Sequence, residues 1–290
     1  MRDGKGVCGF QTATVRFGGS NGGASAFADG IRFQVPRPAW DPERDDRPRL
    51  VGQEELVVAG VAASETLDDV VPRFSLVGPA GRGKSTLALA VAAALGRPAY
   101  VVHCNGEMEV GDLTISGVVS GDRIGYVASP LVAALLRPEA VVVLENFGEM
   151  PVLVQSKLLS LLDEHRVLTS EMLGVSLRAG RGLVVVFTML ECSARLLDEQ
   201  VAQRTRPWFR MGPTPHDQMM RIVEERFAES RGVLEAFRVE YEKNPLSPRE
   251  AVGAMRLGIQ LWKAAGRPMD EAAVARIIRR AFAGMVGKGD

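Results

Sequence analysis

Eight consecutive residues carry the sharpest chemistry in this 290-residue chain: Gly78-Pro79-Ala80-Gly81-Arg82-Gly83-Lys84-Ser85. They satisfy the pattern G-x-x-x-x-G-K-[ST] at every required position. Glycines in such a run let the backbone curl until successive N–H groups point inward and cradle phosphate oxygens. Lys84 would reach the β- and γ-phosphates, and the Ser85 hydroxyl would hold Mg²⁺. These eight residues and Thr86 are the candidate nucleotide site, Ser85 is also a candidate metal ligand, and ATP with Mg²⁺ is the expected cofactor pair. The alternative is a glycine-rich turn with a chance lysine. Context decides between them. Phe74 to Val77 reads as a short buried strand, and strong helix formers run from Leu87 to Leu95 before a stopping Gly96. Strand, loop and helix in that order are what a phosphate cradle needs, because the new helix adds its positive N-terminal end.

A second candidate centre is Glu145-Asn146, which closes the apolar run Val141 to Leu144. Parallel α/β sheets bind ligands at the C-terminal ends of their strands, so Glu145 is expected to face the same phosphates. Ala99 to His103 and Gly182 to Thr188 read as further strands, and Ser129-Pro130 opens a short helix to Leu136. Between them, Asn105 to Gly125 reads as a polar, glycine-rich loop, Pro151 to Glu164 as one amphipathic helix with a core-facing leucine stripe, and Val167 to Ala179 as a hairpin about Gly174. Strands alternating with helices predict a mainly parallel α/β sheet. From Pro213 onward only helical periodicity remains, with Ser247-Pro248-Arg249-Glu250 as a capping box. The expected organisation is a flexible Gly/Pro-rich arm over 1–48, an α/β nucleotide-binding domain over 49–212 and a small all-helical lid domain over 213–290. Within the arm, Thr12 to Phe17 and Ile31 to Val35 are short alternations that could pair as a hairpin, but a mostly flexible arm with one docking stretch is the preferred reading.

Composition narrows the function classes. The 35 basic and 35 acidic residues cancel, so no global field recruits nucleic acid or a membrane. Cys8, Cys104 and Cys192 are odd in number and far apart, which fits neither a disulfide framework nor a zinc site and points to a reducing compartment, the cytoplasm. His103 beside Cys104 reads as core next to the nucleotide site and not as a metal-ligand pair. Trp208 and Trp262 also read as core. The longest apolar run is too short to span a bilayer, and the N-terminus shows no secretory signal.

In their order, these residues resemble an AAA+ ATPase of the MoxR and dynein-related group, from about residue 50 to the end. Leu50-Val51-Gly52-Gln53-Glu54 is similar to the box ahead of that group's phosphate loop. Ser129-Pro130-Leu131, the strand Val141 to Leu144, Pro151 and Leu161-Leu162-Asp163-Glu164 follow its middle section. The resemblance implies a P-loop three-layer sandwich, a ring that is commonly hexameric, and ATP-driven remodelling of a protein partner, often of von Willebrand A type. It implies that Arg204 is the arginine finger acting on a neighbour's nucleotide, that Arg249 is the second sensor, and that Phe187-Thr188-Met189 is the first sensor strand. The segments 105–125 and 167–179 fall where the group carries insertions.

The departures are equally specific. In the family frame the Walker B aspartate falls on Glu145, the catalytic glutamate on Asn146 and the first sensor's asparagine on Leu190. Glu145 can still take a Mg²⁺-bound water, so Glu145, Asn146 and Arg204 are the candidate catalytic residues and Glu145 is a candidate metal ligand. An amide at 146 has no useful basicity, which removes general-base help of roughly 10²–10⁴-fold. Glu145 or Glu149 is the alternative base if the loop shifts. The leading expectation is a slow ATP hydrolase that remodels a partner. The rival is an ATP-dependent assembly protein that barely turns over, and a nucleic-acid loader or a small-molecule kinase ranks lower.

Overall fold

A computed structural model describes residues 11–12, 16–18, 24–28, 31–65, 70–120, 123–267 and 270–285. In chain order the elements begin with β1 (Gln11–Thr12), β2 (Arg16–Gly18), β3 (Ala24–Ala28), β4 (Ile31–Val35), α1 (Glu54–Ala63), β5 (Arg73–Val77) and α2 (Lys84–Leu95). They continue with β6 (Ala99–His103), β7 (Ile115–Ser120), β8 (Arg123–Ala128), α3 (Pro130–Leu136), β9 (Val141–Glu145), α4 (Val152–Ser156) and α5 (Leu159–Leu162). Next come β10 (Val167–Ser170), β11 (Val175–Arg178), β12 (Val184–Met189), α6 (Glu191–Ala194), α7 (Glu199–Arg204) and β13 (Trp208–Arg210). The last four are α8 (His216–Arg226), α9 (Arg231–Lys243), α10 (Pro248–Ala264) and α11 (Glu271–Ala283). The chain divides into two compact units: Met1–Arg49, Glu55–Val77 and Ser85–Arg210 form one, and Leu50–Glu54, Gly78–Lys84 and Met211–Asp290 form the other.

The first unit is built on a five-stranded sheet in the order β13-β5-β12-β9-β6, with every neighbouring pair parallel. Val141 to Leu144, Phe74 to Val77 and Val184 to Met189 are buried along their whole length. Strands covered on both faces read as unbroken apolar runs, which is why these three were visible in the sequence. Ser75 is the polar exception within Phe74 to Val77, and its hydroxyl donates to Thr205 O. Helix α3 packs on β6 and β9. Its N-cap Ser129 accepts the Val132 N–H at 3.1 Å and donates to Leu113 O at 2.8 Å. The α/β sandwich followed by an all-helical segment is the expected fold class.

Four expectations need correction in this unit. The segment 105–125 is not all loop: Ile115–Ser120 and Arg123–Ala128 pair as the antiparallel strands β7 and β8. The stretch Pro151 to Glu164 is two short helices, α4 and α5, because the α-helical ladder stops at Lys157. Leu158, Leu161 and Leu162 are buried as expected, but Leu153 is 70% exposed and leaves the stripe. The arm holds paired strands: β4 pairs with β3 and with β8, so the partner of Ile31–Val35 is not Thr12–Phe17. Phe33 and Val35 are buried, and the charged linker after them is docked, since Ala39 and Trp40 hydrogen-bond to Ala99 and Asp41 lies 3.2 Å from Arg137. Finally, the His103 side chain is 77% exposed and is not core. The hairpin β10–β11 forms as expected, with Gly174 at φ +63° in its turn. Cys8 lies outside the described residues.

In the second unit α8 to α11 enclose a core that includes Met219, Val223, Phe237, Met255, Ile278 and Phe282. Phe237 meets Phe282 at 5.1 Å between ring centroids and stacks on Tyr241 at 6.0 Å. The Ser247 capping box is complete: Glu250 N–H donates to Ser247 Oγ and Ser247 N–H donates to Glu250 Oε2. Trp208 and Trp262 are half-buried against the cores of their own units.

Candidate nucleotide site

The loop 78–83 follows β5 directly and runs into the first turn of α2, as the sequence predicts. Its three glycines are required for different reasons. A Cβ on Gly78 would lie 2.6 Å from Met211 O, so the constraint there is close approach. Gly81 has φ +73°, and its Cβ would lie 3.0 Å from Ser247 Oγ and 3.2 Å from Arg249 Cβ. Gly83 has φ +83°, and a Cβ there would meet nothing within 4 Å. Only conformation demands glycine at 83, and the space above it is open to a ligand.

Lys84 is 8% exposed. Its Nζ donates to Gly78 O at 2.8 Å and Pro79 O at 2.7 Å, so the ammonium lies within the curl of the loop. Burial, and after it the charge of Arg249, holds its pKa below the usual lysine range. Pro79, Ala80 and Ser85 are exposed, while Arg82 and Thr86 are half-buried. Gln53 reaches the Arg82 carbonyl at 3.5 Å, tying the box ahead of the loop to the loop itself. The first turn of α2 holds no acidic residue, so its positive end is not neutralised there. These donors fit a phosphate chain.

In the α/β unit, Glu145 is the last residue of β9 and stands in register with His103, the last of β6. His103 Nδ1 and Glu145 Oε2 are 2.7 Å apart. Asn146 follows at φ 56°, ψ 38°, a left-handed conformation that asparagine adopts more readily than most residues. Its N–H donates to Thr188 Oγ1 at 3.2 Å, its side chain is exposed, and Phe147 packs edge-on against Phe187 at 4.7 Å. Glu149 is exposed one turn later. The Cys104 thiol is buried and pushed up to about 12, first by burial and then by the charge of Glu145.

The remaining candidates are placed as follows. Arg204 ends α7, half-buried, with Nη1 donating to Gln200 O at 3.3 Å. Burial, and after it the charge of Arg204, holds the Arg73 guanidinium below its usual value. Arg206 is exposed and lies over the Trp208 ring at 5.6 Å. Arg249 is exposed at the second position of α10, beside Gly81 and Lys84. Leu190 is half-buried, caps α6 through its backbone alone and offers no polar group. Two groups therefore form: Gly81, Lys84 and Arg249 in the helical unit, and His103, Glu145, Asn146 and Thr188 in the α/β unit. Sequence reasoning missed His103 and Thr188 as partners. The signals were a histidine closing the strand next to β9 and a lone hydroxyl in an otherwise apolar strand.

Among the described residues, no cluster of three His, Cys, Asp or Glu side chains could hold a metal by itself. The Ser85 hydroxyl and the Glu145 carboxylate are hard oxygen donors that suit a Mg²⁺ completed by phosphate and water.

Residues 73–206 match the family described as AAA domain (dynein-related subfamily). That stretch is an AAA domain. The MoxR-type resemblance holds as well: over 133 residues the chain is 30% identical to Protein NorQ of Paracoccus denitrificans. The match covers 46% of this chain and 47% of NorQ, so it spans about half of that relative's length. Among solved structures, the Thermotoga maritima RuvB Holliday junction branch migration motor superposes with a TM-score of 0.55 at 16% identity, covering 81% of this chain and 70% of that one. A second Thermotoga maritima RuvB structure covers 86% and 73%, again at 0.55 and with 15% identity. At that identity the likeness concerns the fold. The matched stretch thus contains the whole phosphate loop, Glu145, Asn146 and Arg204. No helix among the described residues is long and apolar enough to cross a membrane.

Proposed function

We propose that this chain binds ATP with Mg²⁺ at Gly78 to Thr86 and hydrolyses it slowly, within a cytoplasmic ring of six copies that remodels a protein partner of von Willebrand A type. The observation that carries the reading is the buried Lys84 ammonium inside a loop that is open above Gly83. Gly81 and Gly83 let the backbone N–H groups turn toward the phosphates, and Lys84 exchanges its two carbonyls for phosphate oxygens. Ser85 and Glu145 would hold Mg²⁺, which when bound neutralises charge on the phosphates. Asn146 orients the attacking water without deprotonating it. Arg249 contacts the nucleotide of its own subunit, and Arg204 that of a neighbour, each through the planar fork that suits phosphate. The experiment is calorimetry with ATP·Mg²⁺ on wild type and Lys84→Ala. Loss of binding in the variant is expected, and unchanged affinity would overturn the site.

A second reading, nucleotide-driven assembly with little or no turnover, draws on Asn146 and Leu190. Both stand where the family's catalytic and sensor polar groups would be, and neither can take a proton from water. Steady-state phosphate release with and without a partner separates the two readings.

A further inference from the structure

We propose a second anion site on the α/β unit, formed by Arg166, Arg178 and Arg181 at the open end of the β10–β11 hairpin and suited to closely spaced phosphate groups. Arg166 is only 6% exposed. Its Nη2 donates to Gly180 O at 2.8 Å, yet its Nε is buried without a hydrogen-bond partner. The backbone holds it there: Arg166 sits at φ +56°, and its carbonyl accepts the Ala179 N–H at 2.8 Å. A guanidinium this deep is ordinarily matched by a carboxylate. Among the described residues none of these three arginines makes an ion pair.

The surroundings add positive charge instead of removing it. Arg178 and Arg181 are exposed and close enough that, after burial, their charges depress the Arg166 pKa. Arg97 approaches the same loop from another element and donates to Gly182 O at 3.1 Å. The nearby acids do not compensate. Glu139 packs against Gly182, where an added Cβ would lie 2.6 Å from its Cγ, and Asp163 Oδ1 accepts the His165 N–H at 2.9 Å. Several cations around one short loop match a multivalent anion, and a single carboxylate would leave most of the charge uncompensated. Arginine forks present paired donors to phosphate oxygens, which makes a chain of phosphates the fitting class.

This site does not depend on the ATPase reading, so its test is run in the full-length Lys84→Ala chain, where the loop 78–85 contributes least. Inorganic tripolyphosphate is titrated by calorimetry at low salt. Saturable binding is expected, weakened at least about tenfold by Arg178→Ala/Arg181→Ala, which removes two charged partners from exposed positions and leaves the core intact. Arg166→Gln, checked by its melting curve, should weaken binding as well. No binding, or equal affinity with and without Arg178 and Arg181, overturns the proposal. Binding of an oligoglutamate peptide in place of tripolyphosphate overturns the phosphate class.

Discussion

Replacing Asn146 by glutamate should raise ATP turnover at least about tenfold, the cautious end of what a general base supplies. The backbone geometry allows the effect to be separated from a cost in stability. Asn146 is left-handed at φ 56°, ψ 38°, and glutamate tolerates that conformation less well, by about 1 kcal/mol. That strain is present in the ground state and the transition state alike, so it lowers stability and leaves the rate untouched. For a domain of this size it should appear as a fall of about 2–4 °C in melting temperature. The side chain is exposed, so a carboxylate there carries no burial penalty, and the Asn146 N–H to Thr188 bond does not involve the side chain. The assay is steady-state phosphate release with saturating ATP·Mg²⁺, alongside a thermal melt. Wild type turning over at ordinary AAA+ rates and Asn146→Glu slowing it would refute the reasoning and make Glu145 the base.

Arg204→Ala should abolish the larger species that light scattering is expected to show with a non-hydrolysable ATP analogue; a monomer under every nucleotide condition would remove the ring. Phe33→Ala should cost about 3–5 kcal/mol in urea unfolding, since Phe33 is fully buried; no loss would mean that the first 48 residues are dispensable to the fold. Alkaline pH should destabilise the protein through Cys104, whose thiol is pushed up from 9.0 to about 12. The folded chain keeps a proton that the unfolded chain sheds, so this contribution is full below pH 9 and is lost toward pH 12, at up to about 1.4 kcal/mol per pH unit. Urea melts at pH 8 and pH 10 should differ less in Cys104→Ala than in wild type.

What the sequence showed clearly was local. The phosphate loop is legible because its glycines, lysine and serine act within eight residues, and the Ser247 box because cap and acceptor are three residues apart. The central strands are legible because burial on both faces leaves no polar gap in Val141 to Leu144. Non-local pairing was not legible. Glycine and serine between Ile115 and Ala128 blur the alternation that marks a half-buried hairpin, so β7 and β8 read as loop. The break after Ser156 carries no proline or glycine, so α4 and α5 read as one helix and Leu153 as core. Nor does any spacing along the chain bring His103 to Glu145; the register of two parallel strands does that.

The bridge between Ala39–Trp40 and Ala99 has a consequence for how the protein is handled. β6 is an outer strand of the central sheet, and the segment after β4 hydrogen-bonds to it at Ala99. Outer strands with free N–H and C=O groups recruit other chains. A fragment trimmed to begin at residue 49 would retain every residue assigned to the nucleotide, but it would lose Trp40 from its niche and the Asp41 tie to Arg137. Such a fragment should precipitate or self-associate through β6 before its chemistry is compromised, so its solubility, not its ATP affinity, is where the first 48 residues will be missed.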